Sequence, residues 1–309
     1  MTKFESYIES GVVVIDGGMG SELEKRQIDV NNSWWSASAL IQSPEDICDI
    51  HKNYFNAGAS LAITDTYQAH IKSFTDQGLS ETKAYELIDS AVNLARHGLE
   101  NSNRSDGLIA GSVGPYGAYL ANGDEYTGNY YLSESEFQAF HRPRIARLIA
   151  DGVDVFALET MPNFEETKAL GHLLQQEFPS VDAYLSFATE NGDHLWDGTP
   201  LSEAVTYFES ISQIKAIGVN CTSPQNILPA LKNITPNTSK KIIVYPNAGD
   251  DYDPETKRWV SQHGPIKWDE LVPIWLAAGA SLIGGCCRTS PDDINEIALA
   301  IINTKQSFV

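Results

Sequence analysis

Eight short, predominantly apolar runs, each closing on a polar or glycine-containing turn, leave this 309-residue chain few architectures. They are Val12 to Ile15, Leu61 to Thr64, Leu108 to Ala110, Val153 to Leu158, Ala183 to Phe187, Ala216 to Val219, Ile242 to Tyr245 and Ser281 to Ile283. Runs of this kind suit strands buried on both faces. Between them lie helical patterns such as Ser80 to Leu99, Ser135 to Asp151, Glu165 to Glu177 and Pro224 to Lys232. Strands separated by helices pair in parallel through crossovers, and eight such units predict a (β/α)8 TIM barrel better than an open sheet. No low-complexity linker divides the chain, so residues 1–309 are expected to form a single α/β barrel domain.

The chemistry of such barrels gathers at the carboxyl ends of the strands. Here those ends read Asp16-Gly17-Gly18-Met19-Gly20, Asp65-Thr66-Tyr67, Gly111 to Tyr116, Glu159-Thr160, Asn220-Cys221, Pro246-Asn247-Ala248-Gly249 and Gly285-Cys286-Cys287. If the sixth and eighth strands end on one rim, Cys221 meets the Cys286-Cys287 pair without any close spacing in sequence. Three thiols suggest a catalytic metal, because structural zinc sites usually use four protein ligands and catalytic ones keep three. Neighbouring side chains on a regular strand point to opposite faces, so the adjacent pair must sit where its strand ends. Two other readings stand beside this one: burial of the thiols in the core, and a strained, easily reduced bridge between Cys286 and Cys287. Cys48, in Ile47-Cys48-Asp49-Ile50 on an apparent helix, reads as a packing residue.

A formal net charge of -20 and a sequence pI near 4.6 argue against nucleic acid or an anionic membrane as partner and suit a cationic substrate. The N-terminal Met1-Thr2-Lys3-Phe4-Glu5-Ser6-Tyr7 lacks the features of a secretory signal, and no apolar run of membrane-spanning length occurs. Only four cysteines in the chain fit a reducing compartment, so a cytoplasmic protein is expected.

Asp16-Gly17-Gly18-Met19, Gly218-Val219-Asn220-Cys221 and Gly284-Gly285-Cys286-Cys287-Arg288 together resemble the homocysteine S-methyltransferases. That zinc-thiolate barrel family also includes betaine-homocysteine methyltransferase and the homocysteine module of cobalamin-dependent methionine synthase. Gly111 to Leu120 and Glu136 to Arg144 are similar to the single-domain enzymes that use S-methylmethionine.

The resemblance implies Zn²⁺ on Cys221, Cys286 and Cys287, with homocysteine sulfur as fourth ligand and Asn247 as an occupant of the open position when substrate is absent. It assigns Gly17 and Gly18 to the homocysteine carboxylate and Glu159 to its ammonium, with Asp16 orienting the loop or sharing the ammonium. The implied donor is S-methylmethionine, with S-adenosylmethionine a poorer one and betaine the alternative. Tyr116 and Tyr119 are candidates for a donor pocket that holds a sulfonium on aromatic faces, with Tyr126 and Tyr130 flanking the same loop. His141 and Arg142 read as surface or capping residues, and Trp34-Trp35 as either a lid or packing. An all-sulfur metal site disfavours a water-activating lyase or hydrolase, while a non-catalytic zinc or metabolite-binding barrel remains the contrasting class.

Overall fold

The computed structural model describes residues 1–30, 32, 34–249, 251–253, 258–260 and 266–306. Eight parallel strands form one sheet: β1 (Val13–Val14), β2 (Leu61–Ile63), β3 (Leu108–Val113), β4 (Val155–Met161), β5 (Ala183–Phe187), β6 (Ile214–Asn220), β7 (Lys241–Tyr245) and β8 (Ala280–Ile283). Each of β2 to β7 pairs with its successor in the chain, or for β7 with β8, and β1 pairs with β8. A bridge between Ile15 and Leu61 joins β1 to β2, where Ser60 N–H donates to Val14 O at 2.8 Å and Asp16 N–H to Leu61 O at 3.0 Å. The ring is therefore closed, as the eight-run pattern predicts.

The strands are apolar on both sides because each side meets a different core. Val13, Ile15, Leu61, Ala110, Ala157 and Ile243 point into the barrel, whereas Val14, Ala62, Phe156, Leu185 and Val244 pack under the surrounding helices. The helices Glu81–Glu100, Glu134–Ala150, Phe164–Glu177 and Pro224–Ile234 fall on the patterns read from the sequence, with ends shifted by a residue or two. β3 and β6 run longer than their apolar runs, because Gly111, Ser112 and Asn220 continue the ladder.

The sequence reading places no helix ahead of the first strand, yet the structure has one there. The helix Lys3–Ser10 is started by a capping box between Thr2 and Glu5 and inserts Phe4 and Ile8 into the barrel interior. Lys3 Nζ reaches Gly107 O at 2.6 Å, just before β3, so this helix plugs the amino end of the barrel. The opposite end is thereby left as the open one. Between β7 and β8, Asp251–Asp253 pairs antiparallel with Arg258–Val260. Among the described residues, no helix is long and apolar enough to cross a membrane.

Candidate active site

At the carboxyl ends of the strands lies a cavity with about 910 Å³ of empty space, its open mouth included. The loops after β1, β2, β3, β6 and β8 contribute to its wall, together with Glu159 and Thr160 of β4 and Tyr245 of β7.

The structure brings Cys221, Cys286 and Cys287 together on this wall, with their sulfur atoms all within 4.8 Å of one another and Cys221 Sγ 3.6 Å from Cys287 Sγ. Both cysteine loops hang on the end of β7. Cys221 N–H donates to Tyr245 O at 3.1 Å, Cys286 N–H to Pro246 O at 2.8 Å, and Cys287 O accepts from Ala248 N–H at 3.0 Å. The vicinal pair lies beyond Ile283, the last residue of β8, and the carbonyl of Cys286 is turned back onto Thr289, whose hydroxyl donates to it at 2.6 Å. That turn removes the strand geometry that would have sent the two thiols to opposite faces. Gly18 lets the first loop close against this turn: a Cβ there would sit 2.8 Å from Cys286 O.

These donors fit a zinc ion. Sulfur atoms about 2.3 Å from a tetrahedral zinc lie about 3.8 Å apart, close to the separation seen here, and soft thiolate ligands select zinc over hard cations. Among the thiols, Cys221 is held well below the usual value by hydrogen bonds from Cys286 and Cys287, and those two are pushed up as partners of that anion. Cys48 is not in the cluster and is half-buried on the helix Pro44–Asn56.

A buried polar layer positions the neighbouring groups. Glu159, near the end of β4, accepts from the Ser112 hydroxyl on β3 and from Tyr245 OH on β7 at 3.1 Å. Burial pushes its carboxyl up to about 7, against the lowering effect of those two donors. Next to it Thr160 holds φ +59°, a region costly for a β-branched residue. Asn220 secures that conformation twice, its Oδ1 accepting from Thr160 N–H and its Nδ2 donating to Thr160 Oγ1, both at 2.8 Å. Because Asn220 precedes Cys221, itself at φ +49°, one side chain couples the Glu159 and Cys221 strand ends.

The other sequence candidates divide. Gly17 and Gly18 line the cavity, but Gly18 N–H is engaged by Thr289 O at 3.2 Å. Asp16 is buried beside the cavity, with one oxygen accepting from Ile63 N–H at 2.9 Å across the β1–β2 seam. Burial, then the nearby Glu159, push its carboxyl well above the usual range. Asn247 lies at the end of β7, its Oδ1 accepting from Gly249 N–H at 2.9 Å.

Tyr116 and Tyr119 are not on the cavity lining. Tyr116 packs edge-on against Phe140 at 5.0 Å, and Tyr119 turns outward to bond Asp76 at 2.7 Å. The tyrosines on the cavity are Tyr67, Tyr245 and Tyr126, the last with its hydroxyl 3.3 Å from Cys221 Sγ. Trp34 packs on Phe74, whereas Trp35 lines the cavity.

His141 corrects its surface assignment: it is fully buried, with Nε2 2.7 Å from Glu166 Oε1. Arg142 is exposed and pairs with Glu177. Arg144, one turn of helix beyond His141, is buried and donates to Thr66 O, Tyr67 O and Gly114 O at 3.2, 2.9 and 2.6 Å. It thereby fixes the ends of β2 and β3. Glu125 and Asp65 also line the cavity. The Asp65-Thr66-Tyr67 strand end is visible in the sequence, but nothing local marks Glu125 or Arg144.

The family model for homocysteine S-methyltransferase matches residues 13–301. The chain is 46% identical to homocysteine S-methyltransferase YbgG of Bacillus subtilis, covering 93% of each chain, and 44% identical to homocysteine S-methyltransferase of Escherichia coli, covering 92% of this chain and 93% of the other. Among solved structures, the metallated form of the homocysteine methyltransferase MmuM from Escherichia coli superposes with a TM-score of 0.85 at 40% identity, covering 96% of this chain and 99% of that one.

Proposed function

The chain belongs to the homocysteine S-methyltransferase family, and from that premise we propose that it moves a methyl group from a sulfonium donor to L-homocysteine at a zinc ion on Cys221, Cys286 and Cys287. S-methylmethionine is the preferred donor and S-adenosylmethionine a poorer one. Residues 1–309 act as one catalytic barrel domain, in a reducing cytoplasm where the thiols stay unpaired.

The observation that carries this reading is a three-thiol cluster in a cavity lined by Asp65, Glu125 and Glu159 and, among the described residues, by no Lys, Arg or His. Zinc bound there supplies a substrate sulfur as thiolate at neutral pH, where a free thiol of pKa about 8.5 is mostly protonated. Glu159 takes the homocysteine ammonium, for which Ser112 and Tyr245 hold it in place. Gly17 presents backbone to the carboxylate, Gly18 shapes the close approach to the Cys286 loop, and Asp16 fixes the loop against β2. Asn247 belongs to the state without substrate.

The homocysteine thiol proton leaves to solvent on binding. A sulfur lone pair then forms the new S–CH3 bond while the donor C–S⁺ bond breaks and its electron pair stays on the donor sulfur. With S-methylmethionine, both products are methionine. Charge is neutralised on both partners and no proton moves in that step, so no general base is required. The protein contributes alignment of the two sulfurs and an anionic cavity that draws in the cation.

Reduced, zinc-loaded protein given homocysteine and S-methylmethionine should yield two methionines per donor consumed, and a chelator-stripped sample should yield none. Methionine from betaine but not from sulfonium donors would replace the donor assignment. Turnover by fully stripped protein would remove the metal from the mechanism.

A further inference from the structure

None of the roles assigned above uses Glu125, yet this residue is part of the cavity wall. It lies on the turn Asp124–Tyr126, in the segment after β3. The turn is closed by Tyr126 N–H to Gly123 O at 2.9 Å and Gly128 N–H to Asp124 O at 2.9 Å, and Thr127 Oγ1 donates to Asp124 Oδ1 at 2.9 Å. It is pressed against Gly117, where a Cβ would lie 2.7 Å from Glu125 N. Tyr126 OH, 3.3 Å from Cys221 Sγ, ties the turn to the thiols. The Glu125 carboxylate is thus held beside the reacting centre by a short, braced segment.

Its Oε2 is shielded from water and has no hydrogen-bond partner among the described residues. Burial pushes the carboxyl up to about 7, and the charged neighbours acting on it, Cys221 and Asp124, are themselves acidic. An unpartnered carboxylate in such a place is costly unless a cation arrives to pair with it. Asp65 also has an unpartnered oxygen, Oδ2, but its other oxygen is anchored to Ser36 and it lacks the link to the thiols that Tyr126 gives Glu125. Once Glu159 holds the homocysteine ammonium, the cation left to place is the methyl donor.

We infer that Glu125 is the counter-ion of the cationic methyl donor, the residue through which this cavity recognises positive charge on the donor. The inference rests on the methyl-transfer reading above. It also constrains the kinetics. The positive charge on a sulfonium is lost as its methyl leaves, so a nearby carboxylate stabilises the bound donor at least as much as the transition state. Glu125 should therefore act on donor KM more than on kcat.

The test uses zinc-loaded wild type, Glu125→Gln and Glu125→Asp with S-methylmethionine and homocysteine. Loss of a charged contact predicts a donor KM raised on the order of 10- to 100-fold in the Gln variant, with kcat within about 3-fold, and partial recovery in the Asp variant. Homocysteine KM and zinc content should stay at wild-type values. An unchanged donor KM in an active Gln variant would overturn the inference and leave the methyl-transfer reading standing. A rise in homocysteine KM together with zinc loss would assign Glu125 a structural role instead. Wild type inert with every cationic donor would overturn the methyl-transfer reading and this inference together.

Discussion

Replacing Arg144 by Met tests whether the rim of the barrel is held from behind. The guanidinium donates to three backbone carbonyls, at Thr66, Tyr67 and Gly114, and lies 3.2 Å from His141 Nδ1. It also compensates the buried Glu166 carboxylate, which accepts from Tyr116 N–H at 2.6 Å, from Tyr130 OH, and has His141 Nε2 at 2.7 Å. Met keeps most of the side-chain volume but leaves the carbonyls without a donor and the carboxylate without its cation.

Removing one partner from a buried charged network typically costs about 3 to 5 kcal/mol. With an unfolding entropy of about 2.1 cal/mol/K per residue, a chain of this length would lose about 5 to 8 °C in Tm. Arg144 holds the His141 imidazole neutral by repulsion, in addition to the larger effect of burial, so its removal lets His141 take up a proton beside Glu166. The lower end of the range is therefore expected near pH 6 and the upper end near pH 8.

Thermal melts across that pH range check the stability. Steady-state rates on the folded fraction check the link to the site, since Tyr67 lines the cavity: kcat/KM should fall while zinc content holds. A Tm within about 1 °C of wild type would refute the account of the network. A large Tm loss with unchanged kcat/KM would refute the claim that it positions the rim.

Cys286→Ser should lose zinc and activity together, as read by metal analysis beside methionine formation; an active, zinc-free variant would contradict the ligand assignment. Glu159→Gln should raise homocysteine KM by roughly 10- to 100-fold without loss of zinc. Because the Glu159 carboxyl lies near 7, protonation as pH falls removes the ammonium acceptor. Wild-type homocysteine KM should therefore rise from pH 8 to pH 6, and the Gln variant should show no such rise. Gly18→Ala would place a Cβ 2.8 Å from Cys286 O, so zinc affinity should fall by about 10-fold or more in competition with a chelator while Tm changes little; unaltered affinity would show that the loop yields without moving the thiol.

Much of the barrel could be read directly from the chain. Each strand is a short apolar run because it is buried on both faces, and each main helix carries its own periodicity, so the local pattern reports the local structure. The meeting of Cys221 with Cys286 and Cys287 follows from the same logic, since strand order alone sends β6 and β8 to either side of β7 on one rim. The N-terminal helix was harder to see: Phe4 and Ile8 become core residues only because the barrel has an amino end to plug.

What the tertiary structure alone decided is where loop and helix side chains point. Tyr116 and Tyr126 belong to one connection, yet one packs on Phe140 and the other reaches Cys221. His141 and Arg142 are adjacent, yet one is buried and the other meets Glu177 in solvent. Glu125 carries no local mark of its position, because its turn is placed by packing against Gly117 and by the contact of Tyr126 with Cys221, three strands further along the chain. A strand buried on both faces shows as a continuous apolar run and so can be inferred from pattern, whereas the aim of a loop carboxylate depends on contacts between segments far apart in sequence.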